Sequence, residues 1–115
     1  MRHILLLDLR DDPGLIARYE AHHAPGAVPA PITQSIRSAG IEAMDIYRCG
    51  NRLVMVMETG DGFDPDAKAR ADRANPDVIA WEKAMDAFQQ ALPWAQPGQK
   101  WVPAMRIFSL EEQVE

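Results

Sequence analysis

Three side chains that can exchange protons stand just before a proline-broken segment: Tyr19, His22 and His23. Tyr19 and His23 are four residues apart, so on a helix they share a face, whereas His22 points about 100° away. An imidazole titrates near neutral pH, and a phenol can hold or relay a proton at a hydroxyl. The spacing therefore indicates acid–base chemistry by His23 and Tyr19. A histidine at a helix end can instead serve only to complement the helix dipole.

The sequence argues against several other kinds of site. Adjacent histidines diverge on a helix, and the chain has no HxxxH or HExxH spacing, so we predict no metal site. The glycines occur singly, without a phosphate-binding or dinucleotide-binding loop, and we expect no cofactor. Cys49 is the single cysteine and is interpreted as a spectator thiol.

Composition narrows the class of protein. A length of 115 residues fits one domain, taken as residues 1–115. The net charge is −5 and the 12 Lys and Arg residues are scattered, which is a poor match for nucleic acid. The apolar runs, such as Ile4 to Leu7, are too short for a membrane span or a signal peptide. We expect a soluble, unprocessed protein of the cytoplasm, a reducing compartment that suits a chain with one cysteine.

A recurring pair, a capping side chain followed by proline, marks three helix starts: Asp12-Pro13, Asp64-Pro65 and Asn75-Pro76. The prolines at 25, 29 and 31 then forbid continuation of the first helix. We expect helices over residues 12–23, 32–39, 64–74 and 75–92.

The remaining apolar runs predict strands over residues 3–9 and 104–110, together with a hairpin that turns at Gly50-Asn51. The hairpin register places Cys49 opposite Arg52 and leaves both hairpin faces largely apolar. This order predicts an α+β, ferredoxin-like fold, a four-stranded antiparallel sheet with helices on one face. The uncovered sheet face predicts a homodimer in which the two sheets pack together.

Three further residues could belong to a core or to a site. Trp81 lies on the apolar stripe of the last helix, where core packing is the ordinary role. Glu82 beside it is ordinarily a solvated helix residue. Met44 is typical of a core filler or an interface residue. Trp94 and Trp101 flank a loop, where an indole can cap a core or line a pocket entrance.

Taken together, four motifs make the chain resemble the L-rhamnose/L-fucose mutarotase family over nearly its whole length. They are Tyr19-x-x-x-His23 before the proline-broken segment, the hairpin DIYRCGNRLVMVMET, the NPDVIAWEKAM helix and the strand MRIF. The resemblance implies a dimeric α+β barrel that interconverts the α and β anomers of a 6-deoxy-L-hexose without a cofactor. It also implies that His23 is the proton donor and that Tyr19 binds the substrate.

Two departures from the rhamnose enzymes alter the implied sugar pocket. Those enzymes carry a tyrosine where Met44 stands and, after a one-residue gap, a Trp-Trp pair where this chain has Trp81-Glu82. The loop from Trp94 to Trp101 also differs. We therefore expect L-fucose or a related 6-deoxy sugar as the substrate, with Trp81 as an apolar platform for the sugar and Glu82 as an acceptor for one of its hydroxyls.

Two other functions stay open on the sequence. The same scaffold could serve a cofactor-free monooxygenase or a haem-degrading protein, because a fold does not fix a function. The chain could also be a non-catalytic sugar-binding or assembly module, in which His23 only caps a helix and Trp81 only fills the core.

Overall fold

A computed structural model describes residues 1–114. Its elements, in chain order, are β1 (Arg2–Leu9), α1 (Pro13–His22), α2 (Ala30–Ser38), β2 (Ile41–Cys49), β3 (Arg52–Thr59), α3 (Pro65–Ala74), α4 (Pro76–Met85), β4 (Gln89–Gln90), β5 (Val102–Pro103) and a 3₁₀ turn (Leu110–Glu112). No helix within these residues is long and apolar enough to span a bilayer.

All three predicted capping pairs start helices. The Asp12 carboxylate accepts a hydrogen bond from the Leu15 amide at 3.0 Å. Asp64 accepts from the amide of Asp66 at 2.9 Å, and the Asn75 side-chain oxygen accepts from that of Asp77 at 3.0 Å. These acceptors satisfy amides that the first helical turn leaves unpaired, while the following proline needs no partner. α2 begins at Ala30, earlier than predicted, because a proline is tolerated in the first turn of a helix.

The sheet is antiparallel and confirms the predicted fold class. Its order is β2-β3-β1-β4, and β5 pairs with the same edge of β1 as β4. The hairpin turns at Gly50, whose φ is +60°, and Cys49 lies opposite Arg52 as expected. The helices cover one face, where Leu7, Leu9 and Leu53 are almost fully buried.

The opposite face of the sheet is only partly covered. Val54 and Val56 are half-buried, and Tyr47 keeps 60% of its surface exposed. The buried carboxylate of Asp8 also lies on this face, where Arg52 donates to it at 2.8 and 3.2 Å. The Arg52 guanidinium carbon lies 5.2 Å from the centroid of the Trp94 ring, so this indole also lies on the face away from the helices.

Two predicted elements near the C-terminus are wrong. The helix expected to run to residue 92 ends at Met85, and Gln89–Gln90 instead pairs with Asp8 and Leu9 of β1. The apolar spacing that suggested a helix is satisfied because Phe88 and Leu92 are buried along the irregular segment.

The predicted strand over residues 104–110 does not form within the chain, and only Val102–Pro103 pairs with β1. The Ala104 amide still donates to the Ile4 carbonyl at 2.8 Å. The segment runs antiparallel to β1, so residues after Ala104 would have to pair with residues before Ile4. Only Arg2 and His3 of β1 precede Ile4. The residues after Ala104 therefore have too little strand left in their own chain to pair with.

Candidate active site

A large cavity lies between the helices and the inner face of the sheet. Its volume is about 1160 Å³ and it opens broadly to solvent. The methionines of β3, Met55 and Met57, form part of its floor. All five residues singled out in the sequence line this cavity: Tyr19, His23, Met44, Trp81 and Glu82.

The end of α1 positions the two proton-exchanging side chains. His23 is the residue that follows the helix, and its amide donates to the Glu20 carbonyl at 3.1 Å. The rings of His23 and Tyr19 lie side by side, with centroids 4.2 Å apart and planes inclined by 32°. A salt bridge from Glu20 to Arg48 ties α1 to the edge strand β2 on the cavity side.

A hydrogen bond determines which nitrogen of His23 is free. Nδ1 lies 2.7 Å from the Tyr19 carbonyl oxygen. Because a carbonyl only accepts, Nδ1 carries a proton, and in the neutral ring Nε2 carries the lone pair. Nε2 has no hydrogen bond to any of residues 1–114, so it is available to take or return a proton.

Burial shifts the pKa values of His23 and Tyr19 so that the neutral form of each side chain is favoured. Desolvation lowers the pKa of His23 below its ordinary 6.5; the hydrogen bond to the Tyr19 carbonyl opposes this, and the charge of His22 adds to it. The pKa of Tyr19 is raised above 10, chiefly by burial. At neutral pH the site therefore pairs a neutral imidazole with a protonated phenol.

α4 brings Trp81 and Glu82 to the same cavity. The Trp81 indole meets His23 nearly edge to face, with centroids 5.4 Å apart. The Glu82 carboxylate receives a hydrogen bond from the Lys100 ammonium at 2.9 Å, and Lys100 also contacts Asp86 at 2.5 Å. Glu82 is thus held by a cation at the cavity wall.

Met44 enters the cavity from the edge strand. It lies opposite Met57 in the register, so both side chains are on the sheet face that the helices cover. Met44 is partly buried and packs against the cluster formed by Ile41, Met55 and Met57. The wall of the cavity is apolar at this end.

The structure places the other sequence candidates outside the cavity. His22 packs against Phe88 with centroids 5.5 Å apart and is not a lining residue, which confirms that it points away from His23. Cys49 is free and exposed. Within residues 1–114 no cluster of three potential metal ligands occurs.

Among the lining residues that were not identified as site residues from the sequence are a tryptophan and a glutamine. Trp101, for which the sequence left two roles open, lines the cavity and packs against both core clusters, whereas Trp94 does not line it. Gln89 also lines the cavity. No sequence pattern indicated Gln89, because in a helix continued to residue 92 its side chain would have had another direction.

Comparison with known proteins gives consistent results. The sequence model of the L-rhamnose mutarotase family matches residues 2–110. An L-fucose mutarotase of Xanthomonas campestris pv. campestris is 49% identical over 109 residues, which cover 95% of this chain and 87% of that protein. A UPF0734 protein of Dictyostelium discoideum is 30% identical over 91% of this chain and 86% of its own length.

Solved structures share the fold at low sequence identity. An L-rhamnose mutarotase from Formosa agariphila superposes with a TM-score of 0.69 and 17% identity, covering 96% of this chain and 98% of that one. Tetracenomycin F2 cyclase from Streptomyces glaucescens superposes with a TM-score of 0.61 and 13% identity, covering 95% and 97%. Since both identities are low, these likenesses show the architecture alone.

Proposed function

Because the chain belongs to the L-rhamnose mutarotase family, a family of carbohydrate isomerases, we propose that it interconverts the anomers of a 6-deoxy-L-hexose by acid–base catalysis. The preferred substrate in this proposal is L-fucose. One observation carries the mechanism: the free Nε2 of His23 and the buried phenol of Tyr19 lie side by side in the cavity.

The reaction needs two proton transfers, one at each of the two oxygens bonded to C1: the anomeric hydroxyl oxygen and the ring oxygen. The resemblance implies that His23 is the proton donor. Because burial favours its neutral form, Nε2 first takes the proton of the anomeric hydroxyl as the bond from C1 to the ring oxygen breaks, and it donates a proton when the ring closes. Tyr19 gives its proton to that ring oxygen. A sugar hydroxyl is a weaker acid than a phenol, so this transfer is favourable even from a tyrosine with a raised pKa.

Ring closure reverses these transfers. The open-chain aldehyde rotates about its bond to C2 and presents either face to the hydroxyl that re-forms the ring. That hydroxyl returns its proton to the Tyr19 phenolate, and the His23 imidazolium protonates the new anomeric oxygen. Protons and electrons balance within the sugar and these two side chains, and no cofactor is involved. A positioned acid or base typically contributes about 10²–10⁴-fold to such a rate.

The cavity walls support a 6-deoxy sugar. The Trp81 indole offers an apolar surface for the C–H face of the pyranose, and Glu82, held by Lys100, accepts a hydrogen bond from a hydroxyl. Met44, beside Met55 and Met57, provides an apolar contact for the C6 methyl group. The relative with 49% identity is named an L-fucose mutarotase, which favours L-fucose over L-rhamnose.

Anomer exchange by NMR tests this function. Saturation transfer between the two anomeric protons of L-fucose is expected to increase when protein is added, and to increase less for L-rhamnose. L-Galactose is the matched control, because it differs from L-fucose only by a hydroxyl on C6. Placing that hydroxyl against the methionines is expected to lower the rate by about 10–100-fold.

Two outcomes would contradict the proposal. Unchanged exchange of both L-fucose and L-rhamnose would exclude the mutarotase function. Binding of L-fucose without faster exchange would indicate a non-catalytic sugar-binding module instead.

We further propose that the protein is a cytoplasmic homodimer. After Ala104 the chain leaves the sheet, and four large apolar residues there are between 65% and 93% exposed: Met105, Ile107, Phe108 and Leu110. The half-buried face carrying Val54 and Val56 is also available for contact with a second copy. Pairing two chains would bury both surfaces, which a chain of this size cannot do alone.

Sedimentation or light scattering tests the dimer. The wild-type protein is expected at twice the mass of the 12.8 kDa chain. Ile107→Asp is expected to weaken dimerisation at least tenfold, because it puts a charge into the proposed apolar contact. Val114→Asp, at another exposed apolar residue of the same segment, is the control and should remain dimeric. A wild-type monomer, or equal dimerisation of the two variants, would refute this arrangement.

A further inference from the structure

Gln89 enters the cavity because of its position in β4. Its Cα lies opposite that of Leu9, whose side chain packs in the core beside Tyr19. Residues paired across a sheet share a face, so the Gln89 side chain also points into the layer between the sheet and the helices. Gln90 points to the other face and is exposed. The neighbouring glutamines of β4 therefore have opposite surroundings.

The carbonyl oxygen of the Gln89 side chain has an unusual environment. Oε1 is buried and has no hydrogen-bond partner within residues 1–114. Nearly all buried polar atoms in native proteins have a partner, because losing hydration without compensation costs free energy. An apolar side chain of similar size would fill the same space without that cost. The unpaired oxygen at a cavity wall therefore indicates a ligand that donates a hydrogen bond.

The position of the Gln89 amide relative to Tyr19 indicates where that ligand would lie. The Gln89 side chain is close enough to the Tyr19 hydroxyl for its hydrogen bond to lower the pKa of the phenol, against the larger effect of burial. The amide of Gln89 therefore lies beside the Tyr19 hydroxyl, while its Oε1 is left without a donor.

We propose that Gln89 is a further substrate-binding residue, whose Oε1 accepts a hydrogen bond from a sugar hydroxyl beside the reacting centre. This role rests on the proposed mutarotase function. The bound sugar supplies the donor that Oε1 lacks in the free protein, so binding removes an unfavourable feature of the cavity.

The variant Gln89→Met tests this role. Methionine preserves the length of the side chain but removes both polar groups, and the KM for L-fucose is expected to rise about 3- to 10-fold. The free variant is expected to unfold at the same temperature as the wild type or higher, because the unpaired oxygen is gone. The increase in unfolding temperature on adding L-fucose should become smaller. A merely structural glutamine would give the opposite result, lower stability with unchanged KM.

Two further variants make the test specific. Gln90→Met is the same chemical change at the exposed neighbour, and its KM is expected to equal that of the wild type. Gln89→Glu keeps acceptor oxygens and should retain more affinity than Gln89→Met. Equal KM values for Gln89→Met and Gln90→Met, with wild-type exchange intact, would overturn the role of Gln89 alone. Absence of exchange in the wild type would instead overturn the proposed function.

Discussion

Replacing His23 with alanine is expected to lower the protein-dependent rate of L-fucose anomer exchange by about 10²–10⁴-fold. Among the described residues that line the cavity, His23 is the one histidine, and the variant removes its free ring nitrogen. Its effect on folding is expected to be small, because His23 follows the end of α1 and its ring makes one hydrogen bond, to the Tyr19 carbonyl. Saturation-transfer NMR measures the rate, and circular dichroism checks the fold.

The matched control is His22→Ala, which removes the same side chain one residue earlier. Because His22 packs on Phe88 outside the cavity, exchange is expected to stay close to the wild-type rate. A folded His23→Ala protein that accelerates exchange as well as His22→Ala would disprove the assignment of His23.

The pH dependence of kcat/KM gives an independent measurement on the same residue. The proposed base is the neutral imidazole, so activity is expected to fall as pH decreases through the pKa of His23. Burial lowers this pKa, and the acid limb should therefore lie below 6.5. The limb should disappear in His23→Ala. An acid limb above 6.5 would contradict the assignment of a buried, neutral His23 as the base.

Tyr19→Phe is expected to reduce kcat by about 10²–10³-fold, a typical cost of losing one donor at a developing oxyanion. Phenylalanine keeps the ring that packs among Leu9, Leu53 and Phe88 and removes only the hydroxyl. Binding of L-fucose should weaken much less than kcat, because the hydroxyl is needed most as the ring bond breaks. Exchange rates over a range of L-fucose concentrations separate kcat from KM.

Tyr47→Phe is the matched control for this substitution. Tyr47 belongs to the edge strand β2, which borders the cavity, but its side chain lies opposite Val54 on the other face of the sheet and is 60% exposed. Removing its hydroxyl is therefore expected to leave exchange unchanged. If Tyr19→Phe kept kcat within threefold of the Tyr47→Phe value, the hydroxyl would have no part in proton transfer, and Tyr19 would act through packing alone.

Local features of the sequence predicted the parts of the fold that depend on neighbouring residues. The caps at Asp12, Asp64 and Asn75 start their helices because each side chain reaches amides only two or three residues away. The hairpin register follows from the turn at Gly50. The shared position of Tyr19 and His23 likewise follows from the helical repeat alone.

The sequence did not predict the elements whose structure depends on pairing with a strand far away in the chain. Phe88 and Leu92 fit a continued helix, yet both are also buried when Gln89–Gln90 pairs with β1, some 80 residues earlier in the chain. The segment after Ala104 has the apolar composition of a strand but almost no β1 edge left beside it. Periodicity describes which residues are buried and does not identify the partner against which they pack.

By itself the sequence determined the proton-exchanging pair, the helix starts and the hairpin, because each depends on short-range geometry. Only the tertiary structure brought Trp81 and Met44 into the same cavity as His23, determined the free nitrogen of that histidine through the Tyr19 carbonyl, and turned Gln89 inward. These placements depend on how α1, α4 and the sheet pack around one cavity. Contacts between residues far apart in the chain are set by burial and strand pairing over the whole molecule, and no short stretch of sequence contains that information.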